Sequence, residues 1–443
     1  MSPFETNKER FVGNRFGMFI HWGLYAMGAR HEWLKKAEKM TSEEYQKYFD
    51  HFDPDLYAPT AWAKAAKNAG MKYMVITTKH HEGFCLWDSK VTDYNATNTP
   101  YGKDLLRPMV DAFRAEGLRV CLYFSLIDWY HEHYTIDQMH PLARAGEEPA
   151  NENRDMAKYR SYMFEQVREI MTNYGEIDML WVDFSFDPAG PFAGKNKDDW
   201  GSEELVEMIR ELQPGIMINN RLGLDTAPDF VTPEQYQAEF WPVDEDGNRL
   251  VWEACQTFSG SWGYHRDEDS WKDLRTLLWL LIDSVSKGGN LLLNVGPTGR
   301  GELDYRALDR LEGIGSWMKS HSRSIYGCTA SDYTPPPNCS YTQNGNRLYL
   351  HFYQWPIRMI KLDGLKGMIK YAQLLNDASE IIIDEKDFGQ IQTEGIAFGE
   401  NFVRLQLPPN RPPVEIPVIE LFLRDEKEIS GHSDDAVATN FID

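Results

Sequence analysis

Short apolar runs alternate with longer helix-patterned stretches from the N-terminus to about residue 320, and this rhythm limits the fold more than any other feature. Strand-like runs fall at 17–21, 73–78, 119–125, 179–184, 216–220, 250–257 and 291–295, each rich in β-branched or aromatic residues and bounded by turn formers. Helix-patterned segments lie between them at 61–69, 105–116, 156–173, 202–212 and 270–286. Residues 229–232 read as a weak eighth strand. Such alternation predicts a parallel sheet with crossover helices. Seven or eight units fit a (β/α)8-like barrel. An open doubly wound sheet is the second choice, and the strand-linked G-x-G-x-x-G that would favour it is missing near the start.

The character changes near residue 330. A linker, Y-T-P-P-P-N at 333–338, precedes strand-length pieces at 348–353, 359–362, 369–375, 381–384, 403–407 and 418–422, with no long helix among them. The expected layout is therefore a catalytic barrel at 1–333, a small C-terminal β-sandwich at 334–425, and an acidic, flexible tail at 426–443.

Composition narrows the function classes. With 46 Lys+Arg against 68 Asp+Glu the net charge is −22, and no basic cluster stands out to neutralise phosphates, so a nucleic-acid partner is not expected. No apolar run approaches the roughly 20 residues of a membrane span. Residues 1–11 are polar and charged where a signal peptide would carry its apolar stretch. The 5 cysteines form no C-x-x-C and 3 of them sit in apolar runs, which points to buried free thiols in a reducing compartment. A cytoplasmic enzyme is the expectation.

Barrel enzymes place their chemistry at the C-terminal strand ends. The first strand ends on His21, the second on Lys79, His80, His81 and Glu82, and the fourth on Asp183. A carboxylate closing an apolar strand needs a role or a partner; for Asp183 an N-cap or an ion pair to Arg221 is as good a reading as a catalytic one. Metal binding is not favoured, since His21 lacks the H-x-H spacing and adjacent His80 and His81 point to opposite sides of an extended chain. His131, His133 and His140 read as solvated loop residues. G-P-T-G-R-G at 296–301 lacks the G-K-[ST] ending of a phosphate loop and reads as a tight turn. Tryptophans, histidines and carboxylates without a cofactor signature suit a sugar pocket and a pair of carboxyl groups for glycosidic cleavage.

The motifs R-F-G-M-F-I-H-W-G (15–23), H-E-W (31–33), K-H-H-E-G-F (79–84), L-W-V-D (180–183), I-N-N-R (218–221), S-W-G-Y (261–264) and L-L-L-N-V-G-P (291–297) occur in that order. Through them the chain resembles the family 29 glycoside hydrolases, the α-L-fucosidases. The resemblance implies a barrel followed by a β-sandwich, no metal or other cofactor, and hydrolysis of fucosylated oligosaccharides or glycosides with retention. It also implies Asp183 as nucleophile and His21, Glu32, Trp33, His80 and His81 as fucose-binding residues, with Arg221 near the nucleophile. In L-Y-F-S at 122–125 either Tyr123 or Phe124 faces the sugar. Glu234 is placed as acid/base with Glu253 as rival, and Trp262 as a pocket wall or a core residue. Trp22, Phe184 and Trp262 are candidates for the apolar wall against the sugar methyl group. Two other readings stay open, a fucose-binding lectin on an inactive barrel and a retaining glycosidase for a related sugar.

Overall fold

The structure is a computed structural model that describes residues 1–144, 146, 149–185, 194–385 and 401–425. The tail at 426–443 lies outside the described residues, as do Ala145, Glu147 and Glu148 of the loop after the third strand. The chain forms two compact units, 1–273 with 290–313, and 274–289 with the described residues from 314 onward. Among the described residues no helix is long and apolar enough to cross a membrane.

The first unit is built on seven parallel strands: β1 (Phe16–Ile20), β2 (Tyr73–Lys79), β3 (Arg119–Ser125), β4 (Met179–Asp183), β5 (Met217–Ile218), β6 (Glu253–Thr257) and β7 (Asn290–Val295). Their order is β5-β4-β3-β2-β1-β7-β6. Nearly every strand position is buried, as a parallel sheet covered on both faces requires. Alternate residues Phe19, Val75, Tyr123, Trp181, Cys255 and Leu292 pack into one cluster and define the inner face of the curl.

The weak eighth strand exists in an irregular form. Phe230 bridges in parallel to Asn219, Val231 to Trp252, and Glu234 to Cys255, so residues 230–234 close the gap between edge strands β5 and β6. Glu253 and Cys255 donate their N–H groups to the carbonyls of Val231 and Pro233, each at 3.0 Å. Pro233 has no N–H to return, and Gln235 at φ 59° turns the chain out of the extended region, so no regular ladder forms. β5 is shorter than its apolar run for a similar reason. Asn219 uses its side-chain amide on both the N–H and the C=O of Val182, at 3.0 Å each, in place of a backbone ladder.

The β2–β3 pair carries a register shift. β2 pairs with β3 in register up to Thr77 and then slips before Lys79, which turns Lys79 to the outer face opposite Phe124. There its buried ammonium meets Asp128 at 3.2 Å and Gln166 at 3.1 Å.

The second unit contains two antiparallel sheets. One has three strands in the order β10 (Met359–Asp363), β13 (Phe402–Gln406), β12 (Ile382–Asp384). The other has four, β11 (Ile369–Leu374), β14 (Val418–Leu423), β9 (Arg347–Phe352), β8 (Cys339–Asn344). Their inward residues, among them Leu350, Leu362, Val403 and Leu421, share one core. β8 is an addition to the sequence reading. Its run C-S-Y-T-Q-N is too polar to announce a strand, although Cys339 and Tyr341 alternate into the core.

Candidate active site

The inner-face register continues to the C-terminal rim. His21 lies two residues after Phe19, Ser125 two after Tyr123, Asp183 two after Trp181 and Asn294 two after Leu292. Period-two geometry therefore delivers all four to one end of the barrel.

Asp183 is buried there and accepts three hydrogen bonds. Its Oδ2 takes the Tyr123 hydroxyl at 2.8 Å, and its Oδ1 takes the Arg221 guanidinium at 2.8 Å and the Phe184 N–H at 3.0 Å. Arg221 thus forms the ion pair that the structural reading of Asp183 anticipated. The same guanidinium also donates to Glu234 Oε2 at 2.5 Å and lies 4.5 Å from the centre of the Trp181 ring. Burial alone would depress its pKa, but Asp183 and Glu234 hold it well above the usual range. Glu234 stands at the mouth with its side chain 39% exposed. Desolvation raises its pKa and Asp183 adds to the rise, against the pull of Arg221.

Histidines and tryptophans line the rest. His21 Nδ1 is 2.6 Å from Asn294 Oδ1, and the Asn294 amide nitrogen is fixed on the Trp262 carbonyl at 2.7 Å. His81 Nδ1 is 2.7 Å from Ser125 Oγ, while its Nε2 faces Asp183 Oδ2 at 3.9 Å. Burial, and then the charge of neighbouring His80, holds both imidazoles well below their usual range. His80 lies between them, edge-on to His21 at 5.5 Å and tilted against His81 at 3.9 Å. Trp262 lies 5.1 Å from His21, and Trp33 lies 5.1 Å from His81. Buried Glu32 accepts the Gly263 N–H at 2.8 Å, tying the H-E-W segment to S-W-G-Y. Gly296 permits that crossing, because a Cβ there would come within 2.6 Å of the Gly263–Tyr264 backbone. G-P-T-G-R-G accordingly forms a turn closed by Gly301 N–H to Thr298 C=O at 2.9 Å.

Asp183, Arg221 and Glu234 are thus in direct contact, and His21, His80, His81, Trp33, Tyr123, Glu32 and Trp262 surround them. Tyr123 rather than Phe124 reaches this side; Phe124 is on the outer face, where Lys79 Nζ lies 4.3 Å from its ring centre. Trp22 is corrected as a wall candidate. It is buried on the outer face against Tyr57 and Trp62, whereas Phe184 lies 4.6 Å from His81. His140 is buried rather than solvated, and burial pushes it down to about 3. Ser125, Asn294 and Trp129 were not singled out from sequence. The first two are visible as inner-face strand-end positions; Trp129, 5.3 Å from Trp33, sits in a loop without a periodic signal.

Glu253 is the first residue of β6, at the opposite end of the barrel. It is fully buried, accepts from the Tyr73 hydroxyl, and is pushed up to about 8 by burial, against the weaker pull of Tyr73 and Trp181. Its folded-state pKa lies above the unfolded carboxyl value. The folded state therefore holds the extra proton between the two values, and stability falls as pH rises from about 4.5 to about 8. Glu253→Gln mimics the protonated acid. Against it, wild type should lose about 1.4 kcal/mol of stability per pH unit across that window. Urea melts of both proteins at several pH values test this, and parallel stability profiles would rule it out.

A family description, alpha-L-fucosidase, matches residues 4–323. In structure the chain is similar to α-L-fucosidase isoenzyme 1 from Paenibacillus thiaminolyticus, with 45% identity, a TM-score of 0.89, and coverage of 96% of this chain and 100% of that one. It is also similar to a family 29 α-L-fucosidase from Bacteroides thetaiotaomicron, solved as a trapped covalent intermediate with 2-fluoro-fucosyl fluoride (29% identity, TM-score 0.82, coverage 95% and 96%). Human tissue α-L-fucosidase is 27% identical over 368 residues, 77% of this chain and 74% of that protein. The chain belongs to the α-L-fucosidase family.

Proposed function

We propose that this chain releases terminal α-L-fucose from fucosylated glycans or glycosides by double displacement, with Asp183 as nucleophile and Glu234 as acid/base. The observation that carries the reading is the single Arg221 guanidinium shared by the two carboxyl groups. Retaining glycosidases set that pair about 5–5.5 Å apart, a span one planar fork can bridge. Asp183, oriented by Tyr123 and Arg221, attacks the anomeric carbon while Glu234 protonates the leaving oxygen. The ester that forms removes the Asp183 charge, and with it one of the influences that raise the Glu234 pKa. Glu234 then takes a proton from water, which attacks the same carbon and restores Asp183.

His21, Glu32, Trp33, His80, His81, Tyr123, Arg221 and Trp262 bind the sugar, and Phe184 and Trp262 offer its methyl group an apolar wall. Residues 1–333 form the catalytic part and 334–425 the β-sandwich. Five buried cysteines, none of them in a disulfide, support a reducing, cytoplasmic location. The direct test is proton NMR of the sugar first released from an aryl α-L-fucoside. The α-anomer should appear before mutarotation; initial β-fucose would overturn the double displacement.

A further inference from the structure

Two aromatic residues beside His81 come from segments far apart in sequence. Trp33 precedes the helical turn Leu34–Ala37, and Trp129 lies in the loop after β3. Their rings meet edge to face at 5.3 Å, and each also packs on His81, Trp33 at 5.1 Å and Trp129 at 5.4 Å. Trp33 is half-buried and Trp129 fully buried, so Trp33 is the one that can meet a sugar and Trp129 supports it. No side-chain hydrogen bond fixes the supporting ring. Its indole Nε1 is buried without a partner, where a buried tryptophan ordinarily finds one. The placement of the ring therefore depends on the main chain, which is pinned on both sides. The Trp129 N–H donates to the His81 carbonyl at 2.8 Å. Asp128 Oδ1 accepts the N–H groups of Tyr130 and His131, both at 2.9 Å. The Trp129 carbonyl accepts from Lys35 Nζ at 3.3 Å.

A lysine is an unfavourable group to place there. Lys35 is 1% exposed, and its ammonium also meets Ser42 Oγ at 3.4 Å and the face of the Tyr45 ring at 5.1 Å. Burial lowers its pKa to about 8, against the pull of Asp128 and then Glu82. A buried charge with two long hydrogen bonds adds little to stability, and an apolar side chain of similar volume often serves as well. The catalytic steps make no use of it. Its position is what distinguishes it. Lys35 stands two residues after Trp33 and holds the carbonyl of Trp129, so one side chain joins the two segments. Lys36 adds a second tie to the same loop, donating to the Gln138 carbonyl at 2.9 Å.

We propose that Lys35 is a positioning residue for the sugar pocket: by holding the Trp129 carbonyl it sets the Trp129 ring, and through that ring the wall that Trp33 presents to fucose. The inference rests on the reading of the pocket as the fucose site. An aromatic wall meets the bound sugar before and during the reaction alike. Loosening it raises KM and leaves kcat in place.

A double-mutant cycle on an aryl α-L-fucoside tests it. Lys35→Met keeps the stem and removes the donor and its charge, and Trp129→Leu removes the ring. Each should raise KM, and the inhibition constant of free fucose with it, by about threefold to tenfold, the scale of one aromatic pair, with kcat within about twofold of wild type. Because Lys35 acts through Trp129, the double variant should be no worse than the more affected single one, whereas independent effects would multiply. Multiplying effects would mean that Lys35 reaches the pocket by another route, such as Glu82, and would overturn the proposal. So would a fall in kcat with KM unchanged, or wild-type constants in Lys35→Met. The apolar replacement should melt cooperatively; if it does not, Lys35→Gln takes its place in the cycle. A wild type that releases no fucose would instead refute the functional reading, and titration of free fucose by tryptophan fluorescence would then carry the same cycle.

Discussion

Asp183→Ala should lower turnover of both aryl fucosides and fucosylated oligosaccharides by about 10⁴-fold or more, the scale seen when a catalytic nucleophile is removed. Without the carboxylate no ester can form, and leaving-group quality cannot compensate for a missing first bond. The substitution empties the β-face of the anomeric carbon. Azide admitted there should displace a good leaving group and give β-fucosyl azide. The side chain is also the hub for Tyr123 and Arg221, so the variant must first show a cooperative melt. A folded variant with near-normal turnover would remove Asp183 from the nucleophile position.

Glu234→Ala should behave differently with each substrate. General acid assistance is worth about 10² to 10⁴ in rate and counts most for a poor leaving group. Oligosaccharide hydrolysis should therefore collapse by that factor, while fucosylation from a nitrophenyl fucoside persists because nitrophenolate leaves unaided. Deglycosylation should then limit turnover, since no base activates water. Azide needs no base and should restore turnover by attacking the ester from the α-face, giving α-fucosyl azide. The opposite azide anomers from the two variants assign the two carboxyl groups independently. Equal losses on both substrates with no azide effect would end the assignment of Glu234. A leaving-group dependence in Glu253→Gln would transfer the acid/base role to Glu253.

The parts of the fold that were legible in sequence are those where one periodicity acts alone. The helix Met156–Asn173 and strand β3 have the bounds their patterns suggested, because their burial repeats without interruption. Asp183 was legible for the same reason, as an acidic residue closing a regular apolar alternation. Lys79 was not. Simple alternation would put it on the inner face with Tyr73, Val75 and Thr77, and the slip beyond Thr77 sends it outward. Glu253 illustrates a second limit. Alternation puts it on the correct face, but face alone cannot say at which end of a strand a carboxyl group meets solvent. The exchange of backbone for side-chain hydrogen bonds at Asn219 and Asp229 shortened β5 in a way no hydropathy pattern records. The partners of His21 and His81, Asn294 and Ser125, come from strands distant in sequence, so these contacts could be read only once the barrel had closed.

The closing segment at 230–234 leaves Asp183 and Glu234 with different freedom. Asp183 is bound to the length of its strand, since one inserted residue in β4 would reverse every side chain up to the rim. Glu234 hangs from a few isolated bridges behind a helix-free stretch that begins after β5. Residues added or lost between 220 and 229 would lengthen or shorten a loop without changing the register of any strand. Asp183 is therefore anchored to a fixed motif, while the position of Glu234 can drift along the chain over evolutionary time and still arrive at the same guanidinium. Related chains can then share one chemistry and yet fail to align at one of its two carboxyl groups.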